Sequence, residues 1–373
     1  MKIAVLKERA AGEARVAATP ETVKKFVGLG NEVAIEKGAG AAASISDEAF
    51  SEAGAQIGTA AATIKGAEIV LGIQAPEVKH LKGAAKGAWI AALFDPFQSG
   101  ASLEAYANGG FEALSMEFMP RITRAQSMDV LSSQSNLAGY KAVIHAADVY
   151  GRAFPMMMTA AGTVQAAKCF IMGVGVAGLQ AIATARRLGA QVSATDVRSA
   201  TKEQIESLGA KAIFVEDVAG IEGEGSGGYA TEMSDEYKAA QAKLVSEHIA
   251  KQDIVITTAL IPGRAAPVLI TDAQIATMKP GSVIFDLAVA QGGNVEGSEA
   301  DKVVEKHGVK IIGYANTPAH LAADASALFA RNHFNFLSAF WDKEAGKPEL
   351  DEEIGDAIRL TKGGEVVNER LKG

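Results

Sequence analysis

Hydrophobic and polar positions along this chain are grouped into strand-like and helix-like segments that follow each other in a repeating order. Short apolar runs predict buried strands, and apolar positions three or four residues apart predict helices. In the N-terminal third, alternation of the two indicates a parallel sheet with helices on both faces. The predicted strands cover Ile3–Leu6, Glu32–Glu36, Glu68–Leu71 and Ala88–Phe94, and predicted helices begin at Thr19-Pro20-Glu21 and cover Asp47–Ala53.

A second series of the same kind follows in the middle of the chain. Helices are predicted over Gln134–Val149 and around Thr163, and strands over Lys168–Met172, Gln191–Thr195, Lys211–Phe214, Asp253–Ile256, Ser282–Phe285 and Lys310–Ile312. Residues after Pro318 become helical again, and we expect them to pack on the first series. The pattern predicts an α/β fold of two Rossmann-like domains with parallel sheets, residues 1–133 with 320–373 and residues 134–319, and a binding site in a cleft between them.

The strand predicted over Lys168–Met172 leads directly into a glycine-rich turn, Gly173-Val174-Gly175-Val176-Ala177-Gly178. In a dinucleotide-binding turn the first glycine permits the tight bend, the second lets the backbone approach the pyrophosphate, and the third allows close helix packing. A helical pattern follows, so the helix N-terminus would face the phosphate charge. A glycine-rich turn without a ligand is the alternative interpretation.

An acidic residue follows the next predicted strand at the spacing that this motif requires. Asp196 would bind both ribose hydroxyls, and its charge would repel a 2′-phosphate, which favours NAD over NADP. Arg198, two residues later, leaves that preference open.

Composition narrows the possible function classes. The 373 residues suffice for about two domains, and 48% hydrophobic with 21% charged residues is typical of a globular protein. The net charge of −8 argues against a nucleic-acid partner. No apolar run reaches the roughly 18 residues needed to cross a bilayer. The single cysteine, Cys169, excludes an internal disulfide, which favours a cytoplasmic location and a buried core thiol.

The sequence lacks the usual signals for metal binding or nucleophilic hydrolysis. None of the six histidines stands at metal-ligand spacing with a glutamate base or beside cysteine pairs, so no metal is expected. There is also no Gly-x-Ser-x-Gly nucleophile motif. The chain therefore has a predicted cofactor site without an evident acid or base.

Two further stretches have a functional and a purely structural interpretation. Pro120–Asn136 is rich in cations, carboxylates, amides and hydroxyls; it is either a site loop or a linker that caps the next helix with Ser132 or Ser133. The glycine-rich stretch from Gly220 to Gly228, before Tyr229, predicts a mobile loop, which could equally lack a function.

Taken together, these residues resemble the NAD(H)-binding subunits of the proton-translocating NAD(P) transhydrogenases, in the alanine dehydrogenase/transhydrogenase family. The resemblance covers nearly the whole chain. Its most specific segments are Arg121–Tyr140, Ala153–Thr163, Gly173–Ala183, Thr195–Lys202 and Thr257–Gly263.

Alanine dehydrogenase is the competing interpretation within this family. Its members hold pyruvate with an arginine and a lysine, and use a histidine and an aspartate for proton handling. Arg15 matches the arginine, but Gln74 stands at the lysine position, Leu93–Ser99 contains no histidine, and Ala290 replaces the aspartate. Amino-acid oxidation moves a proton and needs an acid/base group. Hydride transfer between two nicotinamide rings moves no proton at the reacting carbons, so orientation suffices.

The resemblance implies roles for individual residues. Arg121, Gln126, Asp129 and Ser132 would form a catalytic polar loop, in which Gln126 contacts the nicotinamide region while Arg121 and Asp129 maintain the loop shape. Tyr229 would close over the bound nucleotide. The remaining residues expected to bind NAD(H) are Ser127, Met128, Gly173, Gly175, Val176, Gly178, Asp196, Val197, Arg198, Gly228, Gln241 and Leu260.

The resemblance also implies partners and a location. NADP(H) would bind a separate partner subunit, because this chain has one fingerprint, and a membrane-spanning subunit would move protons. The chain would form a homodimer, peripheral to the cytoplasmic face of the inner membrane. A non-catalytic NAD-sensing module is a third alternative.

Overall fold

The computed structural model describes residues 1–215, 234–261 and 263–371 as two compact α/β units. Unit 1 comprises Met1–Gln134 and Pro318–Gly373, and unit 2 comprises Ser135–Thr317. Each unit contains a Rossmann-like sheet and its own hydrophobic core. None of the described helices is long and apolar enough to cross a membrane.

Unit 1 is built on a six-stranded sheet in which every strand pair is parallel. The strand order is β3-β2-β1-β4-β5-β6. Successive strands are therefore added towards one edge from β1 to β3 and towards the other edge from β4 to β6. The strands are β1 (Lys2–Val5), β2 (Glu32–Glu36), β3 (Gln56–Gly58), β4 (Ile69–Gln74), β5 (Trp89–Leu93) and β6 (Glu112–Ser115). The helices are α1 (Pro20–Gly28), α2 (Asp47–Glu52), α3 (Ala60–Ile64), α4 (Gly100–Asn108), and, near the C-terminus, α10 (Ala322–Ala339) and α11 (Glu352–Ile358).

Local sequence explains where the first helix of unit 1 begins. Thr19 caps α1, and the side chain and backbone of Thr22 complete a reciprocal capping box. Pro20 occupies the first turn, where its missing N–H costs nothing. Buried Val23 and Phe26 then pack the helix into the core.

Unit 2 is built on a seven-stranded sheet, parallel except for its edge pair β14 and β15. The order is β11-β10-β9-β12-β13-β15-β14, so the reversal falls between β9 and β12. The strands are β9 (Lys168–Met172), β10 (Gln191–Thr195), β11 (Lys211–Ala212), β12 (Ile254–Thr257), β13 (Val283–Asp286), β14 (Val303–Lys306) and β15 (Val309–Ile312). The helices are α5 (Val130–Val149), which begins in unit 1, α6 (Val176–Arg187), α7 (Thr201–Ser207), α8 (Asp235–Ile249) and α9 (Asp272–Ile275).

Three small antiparallel hairpins complete the described elements. They pair β7 (Met157–Thr159) with β8 (Gly162–Val164), β16 (Trp341–Asp342) with β17 (Lys347–Pro348), and β18 (Thr361–Lys362) with β19 (Glu365–Val366).

The prediction of a helix around Thr163 is wrong, because this stretch forms the β7–β8 hairpin. Gly162 has φ +133°, a conformation outside the helical region. The Thr159 hydroxyl donates to the Gly162 carbonyl oxygen at 3.1 Å and closes the turn. Met156, Met157 and Met158 are exposed.

Candidate functional site

The glycine turn after β9 has the backbone geometry that its sequence predicts. Gly173 has φ +97°, and a Cβ there would lie 2.5 Å from the Thr258 hydroxyl. At Gly178 a Cβ would overlap the Gly173 carbonyl oxygen. Around Gly175, by contrast, a Cβ would meet no atom of the described residues within 4 Å. Gly173 and Gly178 therefore permit close packing, and Gly175 leaves the space through which a pyrophosphate would approach.

Helix α6 begins directly at this open position. Gly175 is its N-cap residue, with extended backbone and no side-chain cap. The N-cap residue therefore leaves the N–H groups of the first turn available to an anion, whose charge the helix dipole favours. Val176 is 39% exposed and belongs to the same turn.

The turn lies at the topological switch point of the sheet of unit 2. Strand β9 pairs with β10 on one side and β12 on the other, so the ends of β9 and β12 meet where the strand order reverses. Ligands of open α/β sheets bind at this place. The Thr258 hydroxyl donates to the Gly173 carbonyl oxygen at 3.0 Å, and Leu260, two residues later, is 39% exposed.

A buried polar network behind β12 was missed from the sequence. Asn294 accepts from the Ala259 N–H at 3.0 Å and donates to the carbonyl oxygens of Ala259 and Pro267 at 2.9 and 2.8 Å. The Asp286 carboxylate accepts from the Asn294 N–H at 3.0 Å, and burial raises the pKa of Asp286. This network fixes the segment that leads to Leu260. No short motif marks it, since the partners are far apart in sequence.

Asp196 lies at the end of β10 and is held by the glycine turn and by Arg198. The Val174 N–H donates to Asp196 Oδ2 at 2.7 Å. The Arg198 guanidinium donates to both carboxylate oxygens, Nε to Oδ1 and Nη2 to Oδ2, each at 2.9 Å. Burial alone would raise the pKa of Asp196, but the Arg198 and Val174 bonds outweigh it and lower that pKa, so the carboxylate is charged.

Of the other residues expected to bind the nucleotide, two are half-buried and two are not described. Val197 follows Asp196 and is half-buried, as is Gln241 on α8. Gly228 and Tyr229 lie outside the described residues.

The polar loop predicted in the first domain is a 3₁₀ segment, Thr123–Met128, in unit 1. Arg121, Gln126 and Ser127 are exposed, whereas Met128 is buried. The exposed Gln126 amide is therefore presented on a loop anchored by the buried Met128.

Asp129, not Ser132 or Ser133, caps α5. Its carboxylate accepts from the Ser132 N–H at 2.9 Å and from the Ser132 hydroxyl at 2.5 Å. The helix therefore begins at Val130, four residues before the predicted start. Aspartate is a favoured N-cap residue, but serine is favoured as well, so the sequence did not distinguish Asp129 from Ser132 and Ser133.

Helix α10 also holds the polar loop, through hydrogen bonds from two of its side chains. The side-chain amides of Asn332 and Asn335 both donate to the Ser127 carbonyl oxygen, at 2.9 and 3.1 Å. Asn332 also accepts from the Ser133 hydroxyl at 2.8 Å. These asparagines were missed from the sequence, because only the fold brings the C-terminal helix to residue 127.

Arg15, the retained arginine, is engaged within unit 1. It forms a buried ion pair with Glu13, Nη2 to Oε2, at 2.6 Å, and donates to the Gln134 side chain at 2.9 Å. The Gln74 amide donates to the same Glu13 carboxylate at 3.2 Å. The arginine charge is therefore neutralised by a carboxylate of the chain itself.

Neither a metal centre nor a reactive thiol is found among the described residues. They contain no cluster of three or more histidine, cysteine, aspartate or glutamate side chains that could hold a metal ion. Burial raises the pKa of the Cys169 thiol to about 12, so the described cysteine stays protonated and unreactive at neutral pH.

Comparison with known proteins agrees with this geometry. Residues 4–138 match the family description "Alanine dehydrogenase/PNT, N-terminal domain", and residues 142–369 match "Alanine dehydrogenase/PNT, C-terminal domain". This chain belongs to the alanine dehydrogenase/PNT family.

Within the family, similarity to transhydrogenases is the greater. The chain is 53% identical over 384 residues to the first part of NAD(P) transhydrogenase subunit alpha from Rhodospirillum rubrum, covering 100% of this chain and 99% of the relative. The crystal structure of a transhydrogenase from Sinorhizobium meliloti matches with a TM-score of 0.90 and 52% identity, covering 98% of this chain and 100% of that one. Alanine dehydrogenase 1 of Staphylococcus aureus is 27% identical over 390 residues, covering 100% of this chain and 96% of the relative.

Proposed function

We propose that this family member is the NAD(H)-binding subunit of a proton-translocating NAD(P) transhydrogenase. Unit 2 binds NAD(H) at the glycine turn, and hydride passes directly between this nucleotide and NADP(H) held on a partner subunit. The observation that carries the proposal is the turn itself: Gly175 leaves open space at the start of α6, at the switch point of the sheet.

The residues around the turn fit a dinucleotide. The N–H groups at the start of α6 would bind the pyrophosphate, and Asp196 would bind the adenosine ribose. Val197 and Arg198 would contact the same ribose. The remainder of the nucleotide would be contacted by Val176, Gly228, Gln241 and Leu260, and Tyr229 would close over it. When bound, the reduced nicotinamide supplies the hydride; the chain contributes orientation and exclusion of water.

The polar loop of unit 1 is proposed to arrange the nicotinamide end. Gln126 is exposed on it, while Asp129, Ser132 and the α10 asparagines hold the loop. Arg121 would help to maintain its shape, and Ser127 and Met128 would lie beside the cofactor. A loop of amides and hydroxyls suits a reaction in which no proton is moved at the reacting carbons.

Alanine dehydrogenase activity is less well supported by the geometry. Arg15 would have to leave Glu13 to bind a pyruvate carboxylate, and that ion pair is buried. Gln74 supplies no charge where the family's dehydrogenases have a lysine. We therefore propose that Arg15, Glu13 and Gln74 have a structural role in unit 1.

Partner subunits follow from the proposal. One binds NADP(H), and a membrane-spanning subunit translocates protons, so that the chain is peripheral to the cytoplasmic face of the inner membrane. The chain itself is proposed to be a homodimer; the exposed methionines of the β7–β8 hairpin are consistent with an apolar contact surface.

The test separates binding from turnover. The purified chain should bind NADH in a calorimetric titration but transfer hydride to NADP slowly, and the rate should rise strongly when the NADP(H)-binding and membrane subunits are added. Rapid reductive amination of pyruvate by the isolated chain would favour alanine dehydrogenase instead. NADH binding without any hydride transfer in the complete complex would favour a sensing module.

A further inference from the structure

The Asp196 carboxylate is saturated by donors from the protein. Oδ1 accepts from the Arg198 backbone N–H and from Arg198 Nε, each at 2.9 Å. Oδ2 accepts from the Val174 N–H at 2.7 Å and from Arg198 Nη2 at 2.9 Å. A carboxylate offers about four lone-pair positions, and four donors occupy them. Ribose hydroxyls can therefore bind Asp196 only if some of these donors leave.

The two guanidinium bonds are the ones that can be released. The Val174 N–H belongs to the glycine turn, whose Gly173 N–H is itself bonded to the Thr195 carbonyl oxygen at 2.9 Å. Releasing a backbone donor would require the turn or the end of β10 to change shape. The Arg198 side chain is partly exposed, so its two bonds to Asp196 can be exchanged without a change in the backbone.

A released Arg198 would remain close to the ribose edge, because only one residue separates it from Asp196. An arginine in this region is what Rossmann sites use to accept a 2′-phosphate, since the guanidinium binds phosphate oxygens in a bidentate manner. The chain thus carries both an acid that favours NAD and an arginine suited to NADP. Whether the site prefers NAD(H) or NADP(H) therefore depends on whether Arg198 stays paired with Asp196.

We propose that the Asp196–Arg198 ion pair is the specificity-determining element of this nucleotide site. Two parallel charge-assisted bonds hold the guanidinium on the Asp196 carboxylate, so a 2′-phosphate must compete with that carboxylate for Arg198 and is repelled by its charge. Uncharged ribose hydroxyls meet no such repulsion. This inference rests on the proposed NAD(H) site in unit 2. It explains how Arg198 can stand in a site that must reject NADP(H), the substrate assigned to the partner subunit.

Calorimetric titration of the full chain with NADH and, separately, NADPH tests the pair. Asp196→Asn keeps the side-chain shape but removes the charge that retains Arg198. We expect its dissociation constant for NADH to rise at least tenfold and that for NADPH to fall at least tenfold. The double variant Asp196→Asn/Arg198→Ala should lose the gain for NADPH. The matched control Asp196→Asn/Arg187→Ala removes an exposed arginine at the other end of α6 and should keep it.

Unchanged NADPH affinity in Asp196→Asn, with weakened NADH binding, would overturn the specificity proposal while leaving the NAD(H) site intact. The same conclusion would follow if the gain survived Arg198→Ala. Failure of the wild-type chain to bind NADH would overturn the proposed function, and this inference with it. If Asp196→Asn does not fold, Asp196→Ser removes the same charge with a smaller side chain and gives the same comparison.

Discussion

Three glycines in the turn after β9 meet different surroundings, and so they constrain different properties. Gly178 packs against the Gly173 carbonyl oxygen, which leaves no room for a methyl group. Gly175 faces open space and has φ −82°, a value that any residue adopts. None of the described residues crowds a side chain at residue 175, and the open space there suits the approach of a ligand.

Substituting these two glycines by alanine should separate stability from binding. Gly178→Ala should lower the free energy of unfolding by about 1–3 kcal/mol, because the helix must move away from the turn. Gly175→Ala should leave that free energy nearly unchanged but weaken NADH binding at least tenfold, because its methyl group would occupy the pyrophosphate approach. Urea unfolding and NADH titration measure the two effects. Equal destabilisation by both variants, or full NADH affinity in Gly175→Ala, would contradict the assignment.

At this scale the spacing of glycines and acid along the sequence predicted the turn and the place of Asp196. Local backbone needs produce such spacings, so they can be read without a structure. The bidentate Arg198 contact depends on a side-chain rotamer, and the contacts of Thr258 and Asn294 depend on strand pairing across the sheet. Sequence spacing contains neither kind of information.

Among the elements, the segment between β6 and α5 is held in place by a helix from elsewhere in unit 1. Its 3₁₀ portion bears the exposed Gln126, and 3₁₀ geometry alone is weakly stable. Asn332 and Asn335 on α10 both donate to the Ser127 carbonyl oxygen, next to Gln126. Helix α10 therefore sets the position of the loop, although it is distant in sequence.

Removing the buried asparagine should affect turnover more than binding. In Asn332→Ala the loop loses one donor to Ser127 and the acceptor for Ser133, so Gln126 shifts. We expect hydride transfer in the complete complex to slow about tenfold or more, because small misplacements are costly in orientation-driven reactions. NADH affinity should change less than twofold. Stopped-flow rates and calorimetric titration provide the two readings.

Asn335→Ala is the matched control, since it removes only one bond from a more exposed residue. Its rate should fall less than that of Asn332→Ala. If Asn332→Ala instead weakened NADH binding and kept the wild-type rate, the loop would contribute affinity, and its assignment to the nicotinamide end would be wrong.

Strands and long helices were largely predictable, because their apolar periodicity is fixed by the core they face. The β7–β8 hairpin was not, since its residues are mostly exposed and face no core that would impose an apolar period. The start of α5 was displaced by four residues because several good capping residues compete between Asp129 and Ser133. Capping is decided by which backbone N–H groups are left unbonded, and that requires the structure.

For the molecule as a whole, the buried charges of unit 1 make stability depend on pH. Glu8 follows β1 and accepts from the N–H groups of Ile73 and Gln74, at 2.7 and 3.3 Å. Burial raises its pKa from 4.5 to about 7, although the Ile73 bond opposes the shift. The charged neighbours are Glu13, which raises that pKa further, and Arg15, which lowers it.

The sign of the dependence follows from which state binds the proton. Between pH 4.5 and 7, Glu8 is protonated in the folded chain and ionised in the unfolded chain. The stability that this difference contributes is fully present below pH 4.5 and is lost as the pH rises towards 7. Above pH 7 the buried carboxylate is charged in both states, and the loss is complete.

Replacing Glu8 by glutamine should remove this dependence. Between pH 4.5 and 8 the free energy of unfolding of wild-type unit 1 should fall by up to about 3 kcal/mol because of Glu8. In Glu8→Gln this free energy should fall correspondingly less. Urea unfolding at several pH values, followed by the transition of unit 1, measures the difference between the two proteins. Glu52→Gln, at an exposed position on α2, is the control and should follow the wild-type curve. Parallel curves for wild type and Glu8→Gln would show that Glu8 is ionised in the folded state throughout, and that its backbone donors outweigh its burial.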